Sequence, residues 1–452
     1  MKVIVVGAGE VGFNIAKVLA GEGHDVVVIE KDERRISEIQ DRLDVMVVHG
    51  SGSQLSALEE SGINDADMLI AVTDSDETNI VACLIAKHLG VKKVVARVQT
   101  LGYDEPTGMV ARKIGIDLII NPTRVVASEI FHLLQVPPAS RVIEFAGGKV
   151  MVYLLRVPND APAVGKSLLE LSKEIDGIFL VVGILRGSAA FVPYGQDKIE
   201  AGDKLFVVGK KEDLYRLSIY LGAEWRRPKK IMLVGGGETT YWLAKMLEGA
   251  GFSNIKIISK SPERCGVLAD SLSSSLVIQG DGTDLALLKK EGVSDVDGFV
   301  SLTQNDEVNL LSVFLAKSQG AKKGIALVKK SDYVKLVDYL EKVDAVVNPR
   351  LATASTILKH VWREDILSIA LLEEANARVV DVMVAKGSKI TEGRLRDLLL
   401  PKGFLVGAIV RNGEVIIPRG DTQLKEGDEA IVFLMGEMLK EIPKWFSAEG
   451  GG

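Results

Sequence analysis

The sequence predicts an α/β protein with two doubly wound, parallel-sheet Rossmann-like domains, each followed by a small α+β domain. Three observations predict it. First, the chain repeats itself: between 49–98 and 279–328, 18 of 50 ungapped positions are identical, among them Gly50/Gly280, Asp65/Asp295, Thr73/Thr303, Asp76/Asp306, Asn79/Asn309 and Lys87/Lys317. Such self-similarity is the mark of a duplicated structural unit. Second, short Val/Ile runs alternate with helical apolar stripes, as βαβ units on a parallel sheet require. Third, each alternating stretch gives way to closely spaced apolar runs separated by turns, the pattern of hairpins. The predicted boundaries are 1–138 and 229–362 for the Rossmann-like domains, with small domains at 139–222 and 363–446.

In chain order, Val3–Val6 is the first strand. Val11, Ile15, Val18 and Leu19 form the apolar stripe of the helix that follows. Val26–Ile29, Val45–Val48, Met68–Val72, Val94–Val98 and Leu118–Ile120 are the next five strands. Asn121 as N-cap and Pro122 at the first helical position open a closing helix, which Pro137-Pro138 stop. Its apolar face (Val126, Ile130, Leu133, Leu134) suits either its own sheet or a dimer partner. In the small domain, Val150–Val157, Ile178–Leu185 and Leu205–Val208 read as strands around a single short helix near Ser167–Ser172. Trp225-Arg226-Arg227-Pro228 marks the seam between halves. The second half opens on Lys230–Gly235 and closes with Leu405–Val410, a strong Asn412-Gly413 hairpin signal, and Ala430–Leu434.

Composition narrows the function. A net charge of −6 without a dense Lys/Arg run argues against nucleic acid as a partner. Cys83 and Cys265 stand alone and the five histidines show no ligand spacing, so neither a disulfide framework nor a metal site is expected, and the reducing cytosol fits. The chain opens directly on a strand, which predicts no signal peptide, and no apolar run approaches the roughly 18–20 residues of a membrane span.

The chemistry concentrates at Gly7-Ala8-Gly9-Glu10-Val11-Gly12, between a strand and a helix. In a dinucleotide fingerprint the first glycine makes the turn, the second admits a pyrophosphate and the third lets helix pack on strand. The helix N-terminus offers N–H groups and a positive dipole end to phosphate. Glu30, at the end of the second strand, can accept from both ribose hydroxyls and repels a 2′-phosphate, favouring NAD(H) over NADP(H). Thr73 and Asp74 end the fourth strand at the edge where open α/β sheets bind ligands. Arg97 in the fifth strand needs an acidic partner or a phosphate. Asp76, Glu77 and Asn79, which recur as Asp306, Glu307 and Asn309, either cap the next helix or hold a cation between subunits. The second copy is degenerate. Gly235-Gly236-Gly237-Glu238-Thr239-Thr240 lacks the third glycine, Ser259 replaces Glu30 and Leu327 replaces Arg97. A structural role is expected first there, with weak or altered nucleotide binding as alternatives through Gly235, Gly237, Glu238 and Asp281.

No Gly-x-x-x-x-Gly-Lys-[Ser/Thr] loop is present, and no His–acid or Lys–Tyr pair offers the proton transfer a dehydrogenase needs. An enzyme is therefore not expected; an NAD-dependent dehydrogenase and a scaffold with a vestigial fingerprint are the alternatives.

The fingerprint, Glu30, His49-Gly50-Ser51-Gly52, Ala71-Val72-Thr73-Asp74, Ala96-Arg97-Val98 and Asn121-Pro122 together resemble the RCK (KTN) domain. Gly165-Lys166-Ser167-Leu168 and Glu200-Ala201-Gly202-Asp203 resemble the RCK C-terminal domain. Two such pairs on one chain resemble the TrkA family of Trk-type potassium uptake regulatory subunits. The resemblance implies a cytoplasmic ring of identical chains beneath an integral-membrane potassium-transporting subunit, with a potassium channel's gating ring as the alternative. It also implies that NAD or NADH and ATP or ADP share the first site, lined by Gly7, Ala8, Gly9, Glu10, Val11, Glu30, Ser51, Thr73, Asp74 and Arg97. Ser51 departs from the acidic residue frequent at that position in the family, which Asp281 retains in the second copy.

Overall fold

The computed structural model describes residues 1–99, 113–136, 141–175, 179–222, 228–330, 332–334, 342–358, 360, 366–372, 375–436 and 438–448. The seam residues Trp225–Arg227 and the Pro137-Pro138 stop lie outside the described residues. Two compact units form: residues Met1–Val126 with Asn348–Val361, and Ala127–Val347 with Trp362–Gly452.

The first unit contains β1 (Lys2–Val6), α1 (Glu10–Gly21), β2 (Asp25–Glu30), α2 (Glu33–Arg42), β3 (Met46–His49), α3 (Leu55–Glu60), β4 (Met68–Ala71), α4 (Asp76–His88), β5 (Lys93–Arg97) and β6 (Leu118–Ile120). All six strands run parallel in the order β3-β2-β1-β4-β5-β6. Helices cover both faces, so β1 is apolar at every position from Val3 to Val6 and fully buried. The order reverses between β1 and β4, and the crevice at their carboxyl ends is where such sheets bind ligands.

The second unit begins within α5 (Pro122–Leu134). Next comes the first small domain: β7 (Arg141–Phe145), β8 (Val150–Arg156), α6 (Leu168–Glu174), β9 (Phe179–Arg186), β10 (Ala189–Phe191), β11 (Lys204–Gly209) and α7 (Lys211–Tyr220). The second repeat holds β12 (Lys230–Val234), α8 (Glu238–Gly249), β13 (Asn254–Ser259), α9 (Pro262–Ser271), β14 (Ser275–Gln279), α10 (Leu285–Lys290), β15 (Gly298–Ser301), α11 (Asp306–Ser318), β16 (Lys323–Leu327), β17 (Ala345–Val347) and α12 (Pro349–Leu358). The second small domain holds β18 (Ile366–Leu372), β19 (Ala377–Met383), β20 (Phe404–Arg411), β21 (Glu414–Ile416), β22 (Glu429–Met435) and α13 (Ile442–Phe446). The second parallel sheet repeats the first in the order β14-β13-β12-β15-β16-β17.

Each small domain is a five-stranded antiparallel sheet, and the two pack face to face. Phe206 meets Phe433 with ring centroids 5.9 Å apart. Gly183 makes this approach possible: a Cβ there would lie 2.7 Å from the Phe433 ring. The sequence reading of one helix in the first small domain is corrected to two. Leu214, Leu217 and Leu221 form a buried stripe that seats α7 on the sheet.

The closing helices take a placement the sequence did not offer. From Ala127 onward α5 packs on the second repeat, where a Cβ at Gly298 would lie 2.6 Å from Leu134. There the buried Lys323 Nζ donates to the carbonyls of Leu133 and Val136 at the helix end. Conversely α12 packs on α1 in the first unit, where Arg350 pairs with Glu10 and Lys93 Nζ donates to the His360 carbonyl. Among the described residues, no helix is long and apolar enough to cross a membrane.

Candidate functional site

In the first repeat the chain leaves β1 through Gly7 at φ +102°, a conformation that only glycine adopts without strain. A Cβ at Gly12 would sit 1.9 Å from the Gly7 carbonyl oxygen, so any larger residue would force α1 off β1. At Gly9, by contrast, the nearest atom to an added Cβ is Arg35 Nη1 at 3.7 Å. The first two glycines of the hexamer shape the loop and its open face, and the third holds the helix. No side chain caps α1, so its first-turn N–H groups remain available to an anion.

Glu30 ends β2 facing this loop and is 5% exposed. Its Oε2 accepts from the Ala8 N–H at 2.5 Å, and its Oε1 accepts from the Lys31 and Asp32 N–H groups at 2.8 and 3.0 Å. These bonds fix the carboxylate's orientation and fill both acceptor sites of Oε1, while Oε2 keeps a lone pair for a further donor. Arg35, from α2, brings Nη1 to 4.0 Å of the same carboxylate. The cleft around these groups has a volume of about 380 Å³.

Gly7, Gly9, Glu30, Ser51, Thr73 and Asp74 line that cleft together. Ala8 contributes its N–H to Glu30, while Val11 and Gly12 are buried beneath the loop. Glu10 and Arg97 take other partners. Glu10 is paired with Arg350 of α12, and Arg97 is not among the lining residues. Arg97 instead donates to the Thr73 carbonyl at 2.9 Å and to Asp74 Oδ1 at 3.0 Å, bracing the cleft's rim from below. The sequence missed Asp32 and Arg35. Asp32 N-caps α2, and Arg35 lies one turn into that helix, where it reads as an ordinary exposed charge.

Asp76, Glu77 and Asn79 do not supply the N-cap of α4. The N-cap is Ser75, whose hydroxyl accepts from the Thr78 N–H. Asn79 is fully buried, accepts from the Thr73 N–H and hydroxyl, and donates to the carbonyls of Thr73 and Arg97. Asp76 accepts from the Gln99 N–H, and Glu77 from the Ser75 hydroxyl. No cluster of metal-ligating side chains occurs among the described residues.

The second repeat keeps a cleft of about 420 Å³. Gly235, at φ +126°, carries a wider turn than Gly7, and the buried Thr240 takes Gly12's place. Gly235, Gly237 and Asp281 line the cleft; Glu238 does not, and pairs instead with Arg264 at 3.1 Å. Arg264 Nε also donates to the Gly236 carbonyl at 2.6 Å. Lys260 pairs with Asp281 at 2.8 Å, and bonds from Lys260 and Thr283 hold that carboxyl below the usual carboxylate range. Expected first as a structural element, this half has lost the carboxylate but not the cavity.

Two Lys–Tyr–Glu clusters that the sequence did not suggest form away from both clefts: Lys166–Tyr220–Glu174 and Lys330–Tyr333–Glu307. None of their residues lines either cleft. The Cys83 thiol is buried and pushed up in pKa by desolvation, which makes it a poor nucleophile.

Comparison with known proteins places this architecture. The TrkA-N domain matches residues 3–122 and 231–349, and the TrkA-C domain matches 152–222 and 379–447. The Trk system potassium uptake protein TrkA homolog 2 of Methanosarcina mazei is 38% identical over 99% of this chain and 100% of its own length. The Trk system potassium uptake protein TrkA of Vibrio alginolyticus is 36% identical over 97% of this chain and 96% of its own. Among solved structures, the GsuK RCK domain superposes with a TM-score of 0.58 at 19% identity, covering 98% of this chain and 94% of that one. The GsuK channel bound to NAD gives 0.59 at 19%, covering 99% and 79%. At that identity the likeness is one of fold. With both domain types matched twice in tandem and full-length relatives above a third identical, the chain belongs to the TrkA family.

Proposed function

We propose that this chain is a nucleotide-sensing regulatory subunit of a potassium uptake system, acting without catalysis on an integral-membrane potassium-transporting partner. The observation that carries the reading is Glu30, held by three backbone N–H groups at the mouth of the glycine loop. A carboxylate so oriented offers Oε2 to a hydroxyl of an adenosine ribose, while the loop and the uncapped start of α1 suit the pyrophosphate beside it. NAD or NADH fits these groups. ATP and ADP share the ribose and phosphates and would compete for the same cleft. The names of the relatives and the domain order support potassium transport, a cytoplasmic location under the membrane partner, and assembly as a ring of copies.

Regulation follows from linkage. A nucleotide that binds two arrangements of the ring unequally shifts their populations, and a differential of about 1–3 kcal/mol is enough to matter. The test uses the whole chain reconstituted with its membrane partner. In Glu30→Ala, potassium flux is expected to stop responding to NADH or ATP while circular dichroism is unchanged; intact nucleotide control in that variant rejects the reading. Nucleotide recovered unaltered after prolonged incubation is the expected result for a sensor, and its conversion would instead reveal an enzyme.

A further inference from the structure

The corner that receives the adenosine ribose differs between the clefts in a consistent direction. In the first it is built by Glu30, Lys31, Asp32 and Arg35; in the second, by Ser259, Lys260, Ser261 and Arg264. Both carboxylates have become serines and both cations have stayed. Counting all lining side chains, the first cleft sets two cations against three carboxylates, and the second sets two cations against one, Asp281. The cleft's sign has reversed without loss of volume, which is about 420 Å³ against about 380 Å³.

Ser259 points to what the corner is for. It is 5% exposed, lines the cleft, and its Oγ would lie 2.4 Å from a Cβ on Gly236 in the glycine loop. That hydroxyl makes no hydrogen bond among the described residues and opens onto the cleft, where it can donate to a ligand. The Ser261 hydroxyl, by comparison, is engaged as the N-cap of α9. Lys260 and Arg264 stand on either side; Lys260 is paired with Asp281, and Arg264 with Glu238 and the Gly236 carbonyl, so a bound anion would share or replace these partners. A ribose diol would find no carboxylate here. A phosphate on that ribose would find a hydroxyl donor, an ammonium and a guanidinium, the arrangement by which Rossmann sites accept a 2′-phosphate.

We propose that the second cleft binds a nucleotide carrying a phosphate on its adenosine 2′ oxygen, the chemical class of NADP(H), while the first cleft takes the free diol. One chain would thus read two nucleotide pools through two copies of one site. This assignment does not depend on the first cleft's reading, because the two clefts can be silenced separately.

The experiment is calorimetric titration of the full-length chain with 2′,5′-ADP, 3′,5′-ADP and 5′-ADP, in a Gly9→Asp background whose carboxylate bars phosphate from the first glycine loop. The expected result is saturable 2′,5′-ADP binding near one per chain, at least about tenfold tighter than the other two, as charge-assisted bonds to a phosphate placed at the 2′ position imply. Lys260→Glu should abolish it. Ser259→Glu, which restores the first cleft's carboxylate, should invert the preference toward 5′-ADP. Equal affinity for all three, tighter 3′,5′-ADP, or no binding overturns the proposal. So does a 2′,5′-ADP signal in the parent chain that Lys260→Glu leaves intact and Gly9→Asp removes.

Discussion

The two Rossmann repeats agree in their scaffold and disagree in their clefts. Asn79 and Asn309 make the same bonds to Thr73 and Thr303 and to the next strand's last carbonyl. Asp76 and Asp306 both accept from the backbone after that strand. Lys87–Asp117 is repeated as Lys317–Asp344. Lys93 and Lys323 each hold the end of a closing helix. By contrast Gly12, Glu30, Asp32 and Arg97 have become Thr240, Ser259, Ser261 and Leu327. Polar residues identical between the copies therefore mark how the sheet edge is fastened. The residues that choose a ligand are among those that diverged.

Three perturbations sharpen this comparison. The largest effect is expected at the shared asparagines. Asn79→Ala strands the Thr73 N–H and the Arg97 carbonyl, while the Thr73 carbonyl keeps Arg97; Asn309→Ala strands the Thr303 N–H and the carbonyls of Thr303 and Leu327, and leaving such groups unsatisfied costs about 1–3 kcal/mol apiece where they are buried. Both variants should lower the thermal midpoint. A silent Asn309→Ala would show that the second copy no longer relies on the staple.

Next in size is a pH effect confined to one copy. Lys323 is buried and its pKa is pushed down to about 7 from 10.5 by desolvation, whereas Lys93 is lowered less and remains partly exposed. Below pH 7 the ammonium is protonated in both folded and unfolded chains. Between about 7 and 10.5 the unfolded chain binds the extra proton, so stability should rise with pH across that window. Denaturant melts at pH 7 and pH 9 should show this rise, and Lys323→Met should flatten it more than Lys93→Met does. Equal slopes in the two variants would assign the rise to other groups.

The smallest effect is expected at Arg97. Its ion-pair partner Asp74 is 82% exposed, and such pairs contribute below about 1 kcal/mol. Arg97→Leu, which copies the second repeat, should leave the fold intact and weaken NADH only a few-fold in titration. A complete loss of binding would make Arg97 a direct ligand.

Much of the fold was legible because buried parallel strands are apolar at consecutive positions, and Val3–Val6 or Met68–Ala71 admit no other reading. The glycine loop and Glu30 were legible because turn, helix and carboxylate must occur at fixed spacing. Arg35 was not, since nothing in its immediate neighbours tells a solvent-facing arginine from one that leans over Gly9. Glu10 misled because an acidic residue at a helix start suits the dipole whatever it pairs with, and Arg350 is far away in sequence. The route of the closing helices was hidden for a related reason. Two copies of one sheet offer one apolar face twice, and sequence alone does not say which copy a helix covers.

That exchange has a consequence for how the chain is made. The first repeat is complete in strands by Ile120, yet the helix that seals α1 begins only at Pro349. Bacterial and archaeal ribosomes add roughly 5–20 residues each second, so α1 waits on the order of ten seconds or more with its outer face uncovered. During that interval the apolar face of α1 that α12 will cover stays open to any other apolar surface within reach.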